Sequence, residues 1–393
     1  MPIRDIHTKD VGYFRRPFLR TMKYLLVALP LLAVACSSAT PSNQAAAVGT
    51  AHADTSAQDT NNLILPGETH FKSLRQLTFG GDNAEAYWSF SGTQLSFQVT
   101  NTAWGDTCDQ IRYFNPFTDD LKASAPGKIS VHNGRTTCSY FLPGDSLILF
   151  ASTHLAGPQC PPVPERKPGG KYTWPIYDSF DIFVSDLKGN IRKQLTTTKG
   201  YDAEGTVSPK GDRMVFTSMR DGDLELYTMK LDGSDVKRIT HTLGYDGGAF
   251  FSPDGTKLLW RASRPQTKEA IAEYKELLKQ GLVQPTQMEL FIANADGSDA
   301  KQITSLGKAN WAPYWHPSGA KVIFASNHQT ERGFPFSLFM INTDGSGLER
   351  LTTSDTFDAF PVFSTDGKYL VFSSNRNNGG TRDTNLFLAE WKD

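Results

Sequence analysis

Phe250-Phe251-Ser252-Pro253-Asp254-Gly255-Thr256-Lys257-Leu258-Leu259-Trp260 is the stretch that decides the fold, and Val362-Phe363-Ser364-Thr365-Asp366-Gly367-Lys368-Tyr369-Leu370-Val371-Phe372 nearly repeats it. Each is an apolar run, a Pro/Asp/Gly turn and an alternating apolar strand, which is a β-hairpin whose Gly supplies the positive φ of the turn. Looser copies run from Trp88-Ser89-Phe90-Ser91-Gly92 to Phe97, from Tyr140-Phe141-Leu142-Pro143-Gly144-Asp145 to Phe150, from Val207-Ser208-Pro209-Lys210-Gly211 to Phe216 and from Tyr314-Trp315-His316-Pro317-Ser318-Gly319 to Phe324. Six copies are therefore present.

A second hairpin follows in most units. Leu226 to Met229 turns at Asp232-Gly233-Ser234 into Arg238-Ile239-Thr240, Leu290 to Ile292 turns at Asp296-Gly297-Ser298 into Gln302-Ile303-Thr304, and Leu338 to Met340 turns at Asp344-Gly345-Ser346 into Arg350-Leu351-Thr352. Two hairpins per unit make a four-stranded blade, so the pattern predicts an all-β six-bladed β-propeller. Leu74 to Thr78 reads as an outer strand lacking a partner, and Asn385 to Trp391 as a final strand lacking its hairpin half. Their pairing is expected to close the ring at blade one and remove its open edges.

The Ser-Pro-Asp-Gly hairpin, the Asp-Gly-Ser hairpin and the Leu-Thr or Ile-Thr strand together resemble the WD-type repeat of TolB-like propellers, over residues 71–393. The resemblance implies fold more than function, because related propellers also occur in oligogalacturonate lyases and prolyl-oligopeptidase-type enzymes. TolB itself resembles an α/β domain joined to a propeller, and only a short polar tether is read ahead of this ring. Whatever TolB does through that first domain is therefore not carried over.

Residues 1–36 read as an export signal. The apolar run Tyr24 to Ala35 is short for a membrane span, follows Arg20 and Lys23, and ends in Ala33-Val34-Ala35-Cys36. That ending resembles a lipoprotein signal, which makes Cys36 the lipidation site and predicts a periplasmic protein anchored in a membrane. Ser37 after the cysteine points to the outer membrane by the same resemblance, whereas Ala33 departs from the usual Leu. A start at Met22 gives an ordinary short signal; a start at Met1 brings in Arg15-Arg16, which resembles a twin-arginine motif. Residues 37–70 are read as a flexible tether, since Ala, Ser, Thr, Gln and Asn dominate up to about Asn62. Six Lys/Arg and two Asp fall in residues 1–36, so the remainder carries 34 basic against 39 acidic residues and offers no nucleic-acid surface.

One face of such a ring holds tight turns. The other holds the long insertions at 101–109, 152–179, 264–287 and 327–335, where binding is expected. Six residues before each Ser-Pro-Asp-Gly serine stand Asn83, Thr136, Asp202, Asp246, Asn310 and Asp358. Either each caps a turn in its own blade, or, with Glu85 and Glu204, they form a polar mouth for a cation or basic peptide, with Trp311 as an aromatic floor. Between Pro265 and Pro285 a helix is predicted, capped by Thr267, ended near Gly281 and packed on its own blade. Of Cys108, Cys138 and Cys160, the pair Cys138 with Cys160 is favoured as a disulfide, within one blade. The aromatic segment Tyr172-Thr173-Trp174 either folds over the rim or anchors a peptide.

No nucleophile elbow, zinc-protease motif or phosphate loop occurs. The expectation is a noncatalytic binding module for an envelope protein or peptide, with no catalytic residue, metal or cofactor. The alternative is a metal-dependent polysaccharide lyase or hydrolase, which would have to use His132, His154, His241 and His328.

Overall fold

The computed structural model describes residues 63–157, 159–164, 171–331 and 333–393. The export signal, Cys36 and the chain up to Asn62 lie outside the described residues. Six four-stranded antiparallel sheets form the blades. From the inside outward, blade 1 holds Asp82–Trp88, Leu95–Thr100, Gln110–Phe114 and Gly127–Lys128. The inner strands of blades 2 to 6 are Thr136–Phe141, Asp202–Val207, Asp246–Phe251, Asn310–Trp315 and Asp358–Phe363. These inner strands pack side by side in order, with the sixth against the first, and so complete the ring.

The hairpin motif works through its own side chains. Ser252 Oγ donates to Asp254 Oδ1 at 2.6 Å and accepts from Lys257 N at 2.9 Å, while Thr256 N donates to Asp254 Oδ1 at 3.0 Å. Gly255 takes φ 68° and closes the turn onto the Ser252 carbonyl. Those bonds hold the Asp254 carboxyl at about 2, well below the usual carboxylate range. Ser364, Asp366 and Gly367 repeat the arrangement in blade 6. The aromatic residue that ends each copy, Phe97, Phe150, Phe216, Trp260, Phe324 or Phe372, is at most 1% exposed. The repeated motif thus places one large ring per blade in the packing between sheets.

Ring closure joins Phe71–Gln76 to Asn385–Trp391, in the register Leu74 with Ala389 and Gln76 with Phe387. The closed blade is the sixth, not the first, because the partner strand already pairs with Tyr369–Ser374 of that blade. The packed chain also begins earlier than its composition suggests. Leu63 and Ile64 rest against the core, and Glu68, read as part of the tether, is 3% exposed and ion-paired to Arg376.

The helix α1 spans Lys268–Lys279, with Thr267 Oγ1 accepting from Ala270 N as its cap. It leans beyond its own blade: the Tyr274 hydroxyl donates to Asp223, in the loop of blade 3, at 2.5 Å. The disulfide differs from the expected one. Cys108 joins Cys160, tying the blade 1 loop to the blade 2 insertion, and Cys138 is a free thiol. Cys138 occupies the third position of its inner strand, where its thiol donates to Glu85 at 3.1 Å, on the channel side of the blade and away from the insertion that carries Cys160.

Candidate functional site

Counting blade 1 from Asn83, one residue inside its strand, every inner strand breaks register at the same place, just after its second residue. The third residue there takes a positive φ in all six blades: Glu85, Cys138, Glu204, Gly248, Ala312 and Phe360, between 46° and 60°. An αL residue at a bulge bends the strand and turns its side chain toward the axis. These six residues line a central cavity of about 30 Å³ with Tyr87, Phe250 and Arg261 among its other walls. Blades 1 to 3 make its polar side and blades 4 to 6 its apolar side, apart from Arg261.

Two positions further along, four of the six strands send aromatic rings into the channel, and blades 3 and 6 have Thr206 and Val362 there. Tyr87 stands 5.7 Å from Tyr140 and 5.9 Å from Phe250, and Phe250 stands 5.0 Å from Tyr314. A cavity of that size holds a water or two and no side chain. The predicted Glu204 is fully occupied: it accepts from Thr217, the Tyr245 hydroxyl, Gly248 N and Arg261. Glu85 meets the Cys138 thiol, and burial raises its carboxyl pKa, with Arg261 opposing.

The ring of first positions is buried and bonded, the three carboxylates inside their own blades and Asn83, Thr136 and Asn310 also to the preceding blade. Asp202 pairs with Arg220 at 3.0 Å, Asp246 with Arg264 at 2.6 Å and Asp358 with Arg376 at 3.0 Å; the three carboxylates are 0% exposed. Asn310 accepts from Ser326 and donates to the Met288 carbonyl, Asn83 donates to Gly80 and Thr384 carbonyls, and Thr136 donates to the Asp109 carbonyl. Eighteen residues on stand Asn101, His154, Arg220, Arg264, His328 and Arg376, and the three arginines are the partners of the three carboxylates. Asp occurs only where that residue is Arg. The sequence carries this signal, and reading the first positions without their partners misses it. The same pairing explains why these side chains do not form an open mouth.

The channel mouth on the long-loop face is spanned instead by two insertions. Trp174–Pro175 from blade 2 pairs with Leu282–Val283 from blade 4, and Ile176 N donates to the Gly281 carbonyl at 2.6 Å. Lys171 adds an ion pair to Glu273 of α1. Under this bridge Trp311 is 7% exposed and donates to the Pro285 carbonyl at 2.7 Å, so it is a supporting ring. Around it a continuous aromatic row runs from Tyr172 and Trp174 through Trp311 to Phe336, then to Phe334 and Phe357. Phe334 is 63% exposed and Tyr172 is 37% exposed. Arg261 lies over the Trp174 ring at 5.4 Å. The row was not assembled from sequence because its members come from three blades.

Among the described residues, no three His, Cys, Asp or Glu side chains converge as metal ligands. His132 and His154 stack at 5.1 Å on blade 2, whereas His328 packs on Phe339 in blade 5.

Residues 172–271, running from the blade 2 insertion into α1, match the family described as TolB beta propeller domain. The ring is a TolB-like β-propeller. No curated protein matches the chain in sequence. The TolB-like ring is similar to the structure of putative TolB from Agrobacterium tumefaciens, at 19% identity and TM-score 0.49, covering 80% of this chain and 91% of that one. TolB from Acinetobacter baumannii follows at 18% and 0.47, covering 80% and 66%. An oligogalacturonate lyase in complex with manganese stands at 11% and 0.46, covering 81% and 93%.

Proposed function

We propose that this TolB-like propeller is a noncatalytic binding module of the bacterial envelope, exported and held to the outer membrane through lipidated Cys36, which takes an extended segment of a partner protein across its long-loop face. The observation that carries this reading is the bridge of paired insertions with its partly exposed aromatic row. Rigid rings on an ordered support give large contact area at small entropic cost, which is the usual make-up of interface anchors. The buried ring of Asp202, Asp246, Asn310 and Asp358 supports the scaffold under that face and does not touch the partner. Glu85, Glu204 and Trp311 likewise act from beneath the binding surface.

The test is a photo-crosslinking side chain installed at position 334 or, on the tight-turn face, at position 345, in cells producing the full chain. Adducts from position 334 alone are expected. Adducts from position 345 alone, or from both positions equally, reject the assignment of the face. Labelled palmitate entering the wild type and not Cys36→Ser is the expected result for the anchor, and equal labelling of both removes it.

A further inference from the structure

The repeats share a second pattern: in every blade but the fifth the third strand opens with an amide or carboxylate side chain. The third strand of each blade opens with Gln110, Asp181, Glu225, Glu289, Ser337 or Asn385, and two residues past the end of the outer strand stands Ser130, Thr196, Thr240, Thr304, Thr352 or Thr78. In all six blades that hydroxyl accepts from the backbone N–H of the residue after the opening one. In four blades it also bonds a side-chain oxygen of the opening residue: Ser130 to Gln110, Thr196 to Asp181, Thr304 to Glu289 and Thr78 to Asn385, at 2.6 to 3.3 Å; in blade 3 the Glu225 carboxylate bonds Arg238. Blade 5 has only the short Ser337 there. Thr352, 0% exposed, has no such acceptor among the described hydrogen bonds.

The neighbouring arginine shows the same gap. In blade 3, Arg238 donates through Nε to the Thr240 carbonyl at 2.8 Å and through Nη2 to Glu225 at 2.7 Å, with Asp221 at 3.4 Å. In blade 5, Arg350 makes the identical Nε bond to the Thr352 carbonyl at 2.8 Å, but its Nη2 meets the Ser337 hydroxyl at 2.9 Å. Among the described residues it forms no ion pair. Beside it opens a cavity of about 400 Å³ with Phe334, Pro335 and Phe339 as apolar walls and Glu331 at its edge.

The geometry points to a binding site for a small organic carboxylate in blade 5, the ligand oxygen standing where the Glu225 and Glu289 carboxylates stand in blades 3 and 4. The guanidinium receives the carboxylate beside the Ser337 hydroxyl, and an apolar group on the ligand lies along Phe334 and Pro335. Glu331 disfavours a doubly charged phosphate by like-charge repulsion, whereas a monoanion held by Arg350 tolerates it. The site rests on Arg350 and the cavity beside it; it shares Phe334 with the aromatic row but does not require a protein partner.

The test titrates the full chain with phenylacetate and with its neutral isostere phenylacetamide, following melting temperature and the intrinsic fluorescence. Phenylacetate is expected to raise the melting temperature saturably, because a ligand that binds only the folded state stabilises it by mass action. Phenylacetamide is expected to bind at least about tenfold more weakly, as loss of a charged hydrogen-bond partner implies. Ser337→Glu, which installs the residue type found in blades 3 and 4, is expected to fold, to melt higher without ligand and to lose the response. Ser337→Ala keeps the cavity and is expected to keep the response. A second titration with the blocked dipeptide acetyl-Phe-Glu-amide separates a free metabolite from a glutamate of a protein, by which of the two binds more tightly. No saturable response to either carboxylate, an equal response to phenylacetamide, or an unchanged response in Ser337→Glu overturns the site.

Discussion

Replacing Arg376 by Met tests the idea that the inner ring is held by buried charge pairs. Arg376 is 7% exposed and donates to both oxygens of Glu68, to Asp358, to Ser374 and to the Leu63 carbonyl. The two carboxylates it serves have fully buried side chains. Removing the cation strands both, and breaking one buried pair by deleting a partner costs about 3–5 kcal/mol. The Met side chain retains contact with the Phe372 and Phe387 rings that the guanidinium now covers, which returns about 1 kcal/mol. The net loss at pH 7 is therefore about 3–4 kcal/mol, a large part of the total stability of a domain. Arg220→Met in blade 3 strands only Asp202, and its guanidinium is 16% exposed, so about 1–2 kcal/mol is expected there. Urea unfolding measures both, and limited proteolysis within residues 63–70 reports whether the N-terminal segment has been released. A loss below about 1 kcal/mol, or a costlier Arg220→Met, would refute the reasoning.

Removing residues 386–391 takes away the strand that Phe71–Gln76 and Tyr369–Ser374 share. The truncated chain is expected to lose its cooperative melting transition, and an unchanged transition in circular dichroism would contradict the closure. Burial lowers the pKa of His154, aided by His132, and that of His328, aided by Lys308 and Arg350. A lowered folded value means stability that is present above the unfolded value of about 6.5 and lost as the pH falls through the folded one. His154→Gln with His328→Gln should therefore flatten the fall in melting temperature between pH 7 and 5. The comparison is taken as a difference from the wild type, because Asp246, raised by burial to about 7, contributes with the opposite sign in the same window. In a Cys36→Ser background one free thiol should be counted after unfolding without reductant, and it should react slowly in the native state, because burial and Glu85 push the Cys138 thiol up. Two reactive native thiols would argue against the Cys108 to Cys160 bond.

What could be read from the residues was what they do within one or two turns of chain. The hairpin at Ser252 is written by side chains two to five residues apart, so its six copies announce the blades. The helix was legible for the same reason, from Thr267 to Gly281. The bridge was not. Trp174 meets Val283 through a pair of two-residue strands that carry no periodicity and whose partners lie in different blades. The disulfide depended on the same inter-blade geometry, since pairing within blade 2 looked shorter in sequence while Cys138 was turned to the axis by its bulge. The polar ring was found but its burial was not, because that follows from the residue eighteen places on, which decides whether a carboxylate is neutralised.

Ring closure in blade 6 also bears on the time course of folding. Leu74 and Ala389 become neighbours only after nearly the whole propeller has been made, so the contact that seals the ring has very long sequence separation. Loop-closure entropy must be met before such a contact contributes, and domains dominated by distant β pairings fold slowly. A nascent chain can assemble the central blades, yet it keeps two unpaired strand edges until the final strand emerges. That interval is when the chain is most exposed to edge-to-edge association. Once the strand is seated, opening the ring requires stripping both of its ladders together, so the closed protein is expected to unfold far more slowly than any single blade would.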